Sequence, residues 1–511
     1  MRFTRASGIL LHPTSLPGPH GSGDFGPAAY HFIDWLVTAG QTLWQILPLG
    51  SIGPGNSPYM STSAFAGNPL FIDLQDLANH GWLDAIDLNR ADFPASRVDY
   101  GSVIPFRMGL LHRASRRFFA SRNKNHEDFD AFCAQQKAWL EDYALFMALS
   151  QHNAYKEWSD WEPALARREP GALQAARRQL AEEIQFWKFV QWRFFRQWSD
   201  LKRYANERGV KIIGDIPIFI AYHSADVWTH QQLFYLDESL RPSVVAGVPP
   251  DFFSETGQLW GNPLYRWDAH DKEGYAWWIE RMRAVTQLTD IVRIDHFRGF
   301  VGYWEIPAKD TTAMNGRWLP GPGDKLFDAI KNALGRLPII AEDLGVITPD
   351  VVALRDKFEL PGMRILQFAF PGDATNNFLP HNYVHNTVVY TGTHDNDTSR
   401  GWFQFATDRE RVFVQKYLKT DGREIHWDLI HAASESIADL ALYPFQDILG
   451  LGAEGRMNMP GKAEGYWEWR FQWAEVADWH AARLREISAV HGRNNIKPLP
   501  LPEYPSGKAS P

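Results

Sequence analysis

Short apolar runs, each followed by a turn signal, recur along the chain at 7–12, 42–49, 211–220, 291–297, 338–343, 363–370, 387–395 and 439–449. Most are too continuously apolar for strands with one wet face, which would alternate; parallel strands buried on both faces read this way. Helical periodicity lies between several of them. "AAYHFIDWLVTAG" precedes the second run. "DVVALRDKFELPG" precedes the sixth, opened by Pro349 and Asp350 and closed by Gly362. Eight such runs alternating with helices predict an α/β fold, a (β/α)8 barrel of the TIM type. A doubly wound open sheet would want a glycine-rich phosphate loop after an early strand, and the chain has none.

The interval 50–210 is far too long for one crossover. Within 126–152, Phe129, Phe132, Gln136, Trp139, Tyr143 and Phe146 recur at helical spacing and predict one amphipathic helix. A second helical region runs over 172–208 and ends at Gly209; its Lys188, Arg193, Arg196, Lys202 and Arg203 read as a solvated face rather than an anion site. The expectation is therefore one catalytic barrel over 1–495, with a large, mostly helical insertion between strands two and three at about 50–210, a smaller one at 224–288, and a Pro-rich tail at 496–511. The barrel pattern starts at the first residues, and about 60 residues remain beyond the last strand.

Composition narrows the partners. A net charge of −8 and a pI near 6.1 argue against nucleic acid or an anionic membrane as the main partner. The single cysteine, Cys133, excludes an internal disulfide and fits a reducing cytoplasm. The N-terminal apolar run Gly8–Leu11 is too short for a signal-peptide core, and no stretch approaches the roughly 20 apolar residues of a membrane span. The 22 tryptophans serve either a large aromatic core or sugar stacking, since indole joins an apolar face to a polar edge.

The chemistry gathers at the strand ends, where (β/α)8 enzymes carry their sites. "IVRIDHFRGF" places Arg293 and Asp295 on the same face of strand four, with His296 after them. Asp215 lies on strand three, Glu342 and Asp343 end strand five, and His394, Asp395, Asn396 and Asp397 follow strand seven. Burying Arg293 and Asp295 together lowers the cost of each, and the cation should keep Asp295 ionised. Metal-assisted hydrolysis would want a richer histidine set than His12 and His394 provide. Glycoside chemistry needs a carboxylate nucleophile and a carboxylic acid. Asp295 and Glu342, on adjacent strands, could approach the roughly 5 Å separation of retaining enzymes. Neither a metal nor a cofactor is called for.

A series of segments in this order, "HPTSLPGPHGSGDFG", "WQILPLG", "SPYMSTSAFAGNP", "GDIPIFIAYHSADVW", "GVPPDFFSETGQLWGNPLY", "RIDHFRGF", "AEDLG" and "YTGTHDNDT", resembles the amylomaltases, the bacterial 4-α-glucanotransferases or disproportionating enzymes of the α-amylase clan. The resemblance implies maltooligosaccharides and α-1,4-glucans as partners and a retaining double displacement through a covalent glucosyl-enzyme. It implies Asp295 as nucleophile, Glu342 as general acid/base and Asp395 as the carboxylate that holds sugar hydroxyls. By the same resemblance Arg293, Asp215 and His394 surround the −1 sugar, with Tyr59 as its stacking platform and Ser57 nearby. Gln258 and Trp260 belong to a mobile loop on the acceptor side, and Asn458 contacts the donor. The resemblance is to the shorter form without an N-terminal extension, and it implies no separate C-terminal β-domain, with which the barrel pattern agrees. The chain departs from the family at Lys462, where threonine is usual. An α-glucan hydrolase on the same machinery and a non-catalytic carbohydrate-binding barrel are the alternatives. A transferase must favour a millimolar sugar over water by about 5–6 kcal/mol, and the loop over 249–263 is the expected means of excluding water.

Overall fold

The computed structural model describes residues 2–89, 92–121, 125–250, 254–462 and 464–494. The expected tail at 496–511 lies outside them. The strands are β1 Ala6–Leu10, β2 Leu43–Gln45, β3 Lys211–Pro217, β4 Val244–Val248, β5 Gln258–Pro263, β6 Ile291–Asp295, β7 Gly302–Pro307, β8 Arg317–Pro320, β9 Ile339–Ala341, β10 Gly362–Ile365, β11 Thr387–Tyr390 and β12 Leu440–Pro444. Eight form one all-parallel sheet in the order β10-β11-β12-β1-β2-β3-β6-β9. All eight expected runs are its strands, each shorter than its apolar pattern. The sheet curls into a barrel whose seam, between β9 and β10, is bridged by the amide of Ala341 to the carbonyl of Pro361 at 3.0 Å.

The seam also explains Asp343. Its Oδ1 accepts the amide N–H of Met363 at 2.7 Å, and its Oδ2 pairs with Arg355 Nη1 at 2.6 Å. This strand-end carboxylate therefore closes the barrel. Gly362, expected as a helix terminator, is instead the first residue of β10. It must be glycine because an added Cβ would lie 2.4 Å from Asp343 Oδ2. The preceding helix ends at Lys357, and Glu359 supplies the left-handed turn with φ +56°.

The alternation within each strand divides the core in two. Leu43, Ile213, Ile291, Ile340, Met363, Val388, Leu440 and Leu442 point inward and fill the barrel floor. Their neighbours Trp44, Ile212, Val292, Ile294, Val389 and Ala441 point outward under the helices. Both faces are dry, which is why the runs read as continuously apolar. Above the floor, the next inward positions are polar: Gln45, Asp215 and Arg293, with Tyr390 donating its hydroxyl to Gln45 Oε1 at 2.8 Å.

The insertion between β2 and β3 is mostly helical. Its long helix Ala181–Glu207 buries Phe186, Phe189, Trp192 and Trp198 and feeds directly into β3. Trp44, Trp158, Trp192, Trp198, Trp228, Trp278 and Trp427 are all fully buried, so much of the tryptophan content is core. The basic residues of this helix are paired: Lys188 with Glu141, Arg193 with Asp76, Arg196 with Asp128, Lys202 with Asp290 and Arg203 with Asp200. The single helix expected over 126–152 is two, Asn125–Gln135 and Lys137–His152, broken at Gln136. A four-stranded antiparallel sheet, β5-β4-β7-β8, forms from segments on both sides of β6. None of its four strands was among the expected ones. The stretch expected as a mobile loop contains β5, paired to β4, with Gly257 and Gly261 at φ +70° and +78° on either side of Trp260. Residues 251–253 of that stretch lie outside the described ones.

Candidate active site

Strand alternation turns Asp215 and Arg293 inward one step above the apolar floor, and Asp295 one step further up. Arg293 Nη1 meets Asp215 Oδ2 at 2.6 Å and Nη2 meets Asp295 Oδ1 at 3.0 Å. One guanidinium thus holds two carboxylates. Burial alone would lower the arginine's pKa; Asp215 and Asp295 outweigh it, and the cation is retained. The side chains of Arg293 and Asp215 are 4% and 0% exposed, whereas Asp295 keeps 29% and Asp395 40%. The inner pair is scaffold, and the outer carboxylates face the cleft.

Glu342 follows β9 and turns inward beside Asp295. Its Oε2 accepts the amide of His296 at 2.6 Å and its Oε1 the amide of Leu344 at 2.9 Å. Burial, and then the charge of Asp295, push its carboxyl up to about 8 against those two donors and Arg293. Burial also raises Asp295, to about 6, while Arg293 opposes the rise. Near neutral pH the two groups are therefore split, Asp295 ionised and Glu342 protonated.

Asp395 lies just past β11. Burial would raise its pKa, but His394, Asn458 and Arg293 together hold it below the usual carboxylate range. Asn458 Nδ2 donates to Asp395 Oδ1 at 2.6 Å, and His394 Nε2 lies 3.3 Å from Oδ2. Tyr59 completes the rim. Its hydroxyl donates to Asp215 Oδ2 at 2.8 Å and also lies 2.9 Å from His394 Nε2. An ionised carboxylate only accepts, so the phenol proton goes to Asp215 and Nε2–H of His394 points at the tyrosine oxygen. The Tyr59 and His394 rings stack at 5.4 Å and 16°. Ser57 accepts the amide of Tyr59 at 3.3 Å and shapes that turn. Trp260 packs edge-on against His296 at 4.8 Å and 87°, its indole N–H held by Gln258 Oε1 at 3.1 Å.

Three further residues shape the site. His296 adopts a left-handed conformation, φ +52°, which turns its amide onto Glu342. Arg456 donates from Nη2 to the carbonyl of Asp395 at 2.8 Å and from Nε to the carbonyl of Asn458 at 2.6 Å. It thereby ties the turn after β11 to the segment carrying Asn458. Trp467, also left-handed at φ +67°, lies 5.8 Å from both Tyr59 and His394. His296 stood in the "RIDHF" segment, and its backbone sign had no sequence signal. Arg456 is distant in sequence from Asp395, and Trp467 from Tyr59 and His394. Among the described residues no group of three or more His, Cys, Asp or Glu is arranged to hold a metal ion. No helix there is long and apolar enough to cross a membrane.

An eight-stranded parallel barrel with protonation-split carboxyls at its strand ends defines a class, the barrel enzymes that act on glycosidic bonds. The chain belongs, within it, to the glycoside hydrolase 77 family, 4-alpha-glucanotransferase, whose model matches residues 11–476. It is 52% identical over 502 residues to the 4-alpha-glucanotransferase of Thermus thermophilus, covering 96% of this chain and 100% of that one. It is 50% identical over 495 residues to the 4-alpha-glucanotransferase of Synechocystis, covering 96% and 98%. The amylomaltase of Streptococcus agalactiae, solved with acarbose, superposes with a TM-score of 0.93 at 40% identity, covering 96% of this chain and 100% of that one. Amylomaltase from Corynebacterium glutamicum shares the fold, with a TM-score of 0.77 at 17% identity over 95% of this chain and 75% of that one. The transferase reading therefore holds over the hydrolase alternative, and the chain is an enzyme of transglycosylation.

Proposed function

We propose that this chain moves α-1,4-glucan segments from a donor maltooligosaccharide to the 4-hydroxyl of an acceptor glucan or glucose, with Asp295, Glu342 and Asp395 performing the transfer. The observation that carries the assignment is the placing of two carboxyls on adjacent strands in contrasting settings, one beside a buried arginine and one between two amides. Glu342 gives its proton to the glycosidic oxygen while Asp295 attacks the anomeric carbon. The reducing-side fragment leaves and a glucosyl ester forms on Asp295. Glu342, now a carboxylate, takes the proton of the incoming 4-hydroxyl, and that oxygen displaces Asp295. Asp395, kept ionised by its partners, accepts hydrogen bonds from sugar hydroxyls of the −1 unit. Tyr59 offers that unit a flat face and Asn458 lies on the donor side. Gln258 and Trp260 meet the acceptor. Acid, nucleophile and acceptor are all supplied, so the scheme requires no metal or cofactor.

The domain reading goes with this scheme: one catalytic barrel with insertions at about 50–210 and 224–288 that wall the cleft. A cytoplasmic location is favoured by the lone Cys133, which has no second thiol to oxidise with. Incubation with maltotriose tests the function. The expected products are glucose and a ladder of longer dextrins at nearly constant total reducing ends, because each transfer breaks one bond and makes one. Reducing ends that rise as fast as maltotriose disappears would overturn it.

A further inference from the structure

An open groove of about 340 Å³ runs between the helical insertion and the helix Ala276–Leu288, and none of the catalytic carboxylates lines it. Trp139, Gln135 and Gln136 form one wall, Glu280 and Gln287 the other, and Phe65 lies between them. One wall is broken at Gln136, φ −97° and ψ 10°, in what the sequence pattern predicts as one continuous helix. No glycine or proline occurs between 125 and 152 to cause it. At the break the Gln136 side chain accepts the indole N–H of Trp139 at 2.8 Å. That bond fixes the indole nearly parallel to Phe65, at 6.3 Å and 15°, while Trp277 meets Phe65 edge-on at 6.1 Å. Trp139 is left half-buried beside the groove, unlike the fully buried tryptophans of the core.

We propose that this groove is a second binding site for α-glucan chains, separate from the reacting subsites; it rests on the glucanotransferase reading above. The half-buried indole, packed against Phe65, Tyr143 and Phe195, offers its remaining apolar surface to a pyranose ring. Around it the amides of Gln135 and Gln287 both donate and accept, and the carboxylates of Glu273 and Glu280 accept, as the hydroxyl pairs of a sugar require. Arg283 lines the groove as well and pairs with Glu280 at 3.2 Å, so the lining is of mixed charge and suits a neutral polyol. Groove size falls in the range of ligand sites. A polymeric substrate makes such a site useful, because one anchored chain presents its ends to the cleft at raised effective concentration.

Two variants test it, Trp139→Ala and the double surface variant Glu280→Ala/Gln287→Ala; the latter leaves the core untouched. Maltotriose is the short-chain control. Its disproportionation should stay within about twofold of wild type, while kcat/KM for amylose falls several-fold through KM. Calorimetric titration of the Asp295→Asn chain with maltohexaose should count two sites, reduced to one when either groove variant is added. A single site in Asp295→Asn, or loss of amylose and maltotriose activity in equal proportion, would overturn the proposal. If wild type fails to disproportionate maltotriose, the transferase reading falls instead; the calorimetric count does not depend on turnover and still decides the groove.

Discussion

Replacing Glu342 by Gln tests the acid/base assignment through activity and stability separately. A positioned general acid contributes about 10²–10⁴ in rate, or roughly 3–5 kcal/mol at about 1.36 kcal/mol per decade. Maltotriose turnover should fall by that factor. An α-maltosyl fluoride donor needs little protonation of its leaving group, so formation of the glucosyl-enzyme from it should survive within about tenfold. Wild-type kcat/KM should fall on the acid side near pH 6 as Asp295 protonates, and on the basic side near pH 8 as Glu342 ionises. The variant should lose the basic limb for the fluoride donor. Stability responds differently. Glu342 accepts two backbone N–H groups, one on each oxygen. Gln has one acceptor oxygen, so one of those amides faces an NH2 group, at a cost of about 1–3 kcal/mol. Against this, the folded carboxyl of Glu342 is raised above its unfolded value of 4.5. The folded state binds the proton more tightly, so wild-type stability declines as pH rises from about 4.5 to about 8 and levels beyond. The variant has no such decline, and its deficit in urea midpoint should shrink between pH 5 and pH 9. Equal losses with both donors would remove Glu342 from the proton-transfer role. A deficit that grows with pH would refute its burial as a neutral acid.

Trp260→Ala should raise the ratio of hydrolysis to transfer, read as reducing ends that climb during maltotriose turnover; parallel loss of both reactions would mean that the indole only packs against His296. Arg456→Ala leaves the carbonyls of Asp395 and Asn458 unpaired, and charge-assisted bonds are each worth about 1.5–3 kcal/mol. Activity should fall about 10- to 100-fold, mainly in kcat if the sugar-holding carboxylate is misplaced in the transition state; partial recovery in Arg456→Lys would support the clamp, and wild-type turnover in Arg456→Ala would end it. Gly362→Ala puts a Cβ against the Asp343 carboxylate and should cost about 1–3 kcal/mol of stability as overpacking, measured as a shift in urea midpoint with near-normal activity in the folded fraction.

Much of the architecture was legible because the physics that sets it is local. A parallel strand buried on both faces must be apolar at consecutive positions, and each of the eight strands announced itself that way. Polar residues inside such runs are costly, so Asp215, Arg293 and Asp295 stood out before their partners were known. Sequence periodicity describes one element at a time, however, and it missed whatever depends on a second element. The break at Gln136 comes with a side-chain bond and ring packing rather than a helix breaker. The β4–β5–β7–β8 sheet pairs segments separated by a barrel strand. Asp343 and Glu342 are adjacent acids whose fates diverge because alternation sends one to the seam and the other to the cleft. The sequence by itself determined the barrel, the helical insertion and the acids of interest. Tertiary structure alone decided their protonation: that depends on desolvation and on charges within a few ångströms, Arg293 beside Asp295 and Asp295 beside Glu342, which are contacts across strands and not along the chain.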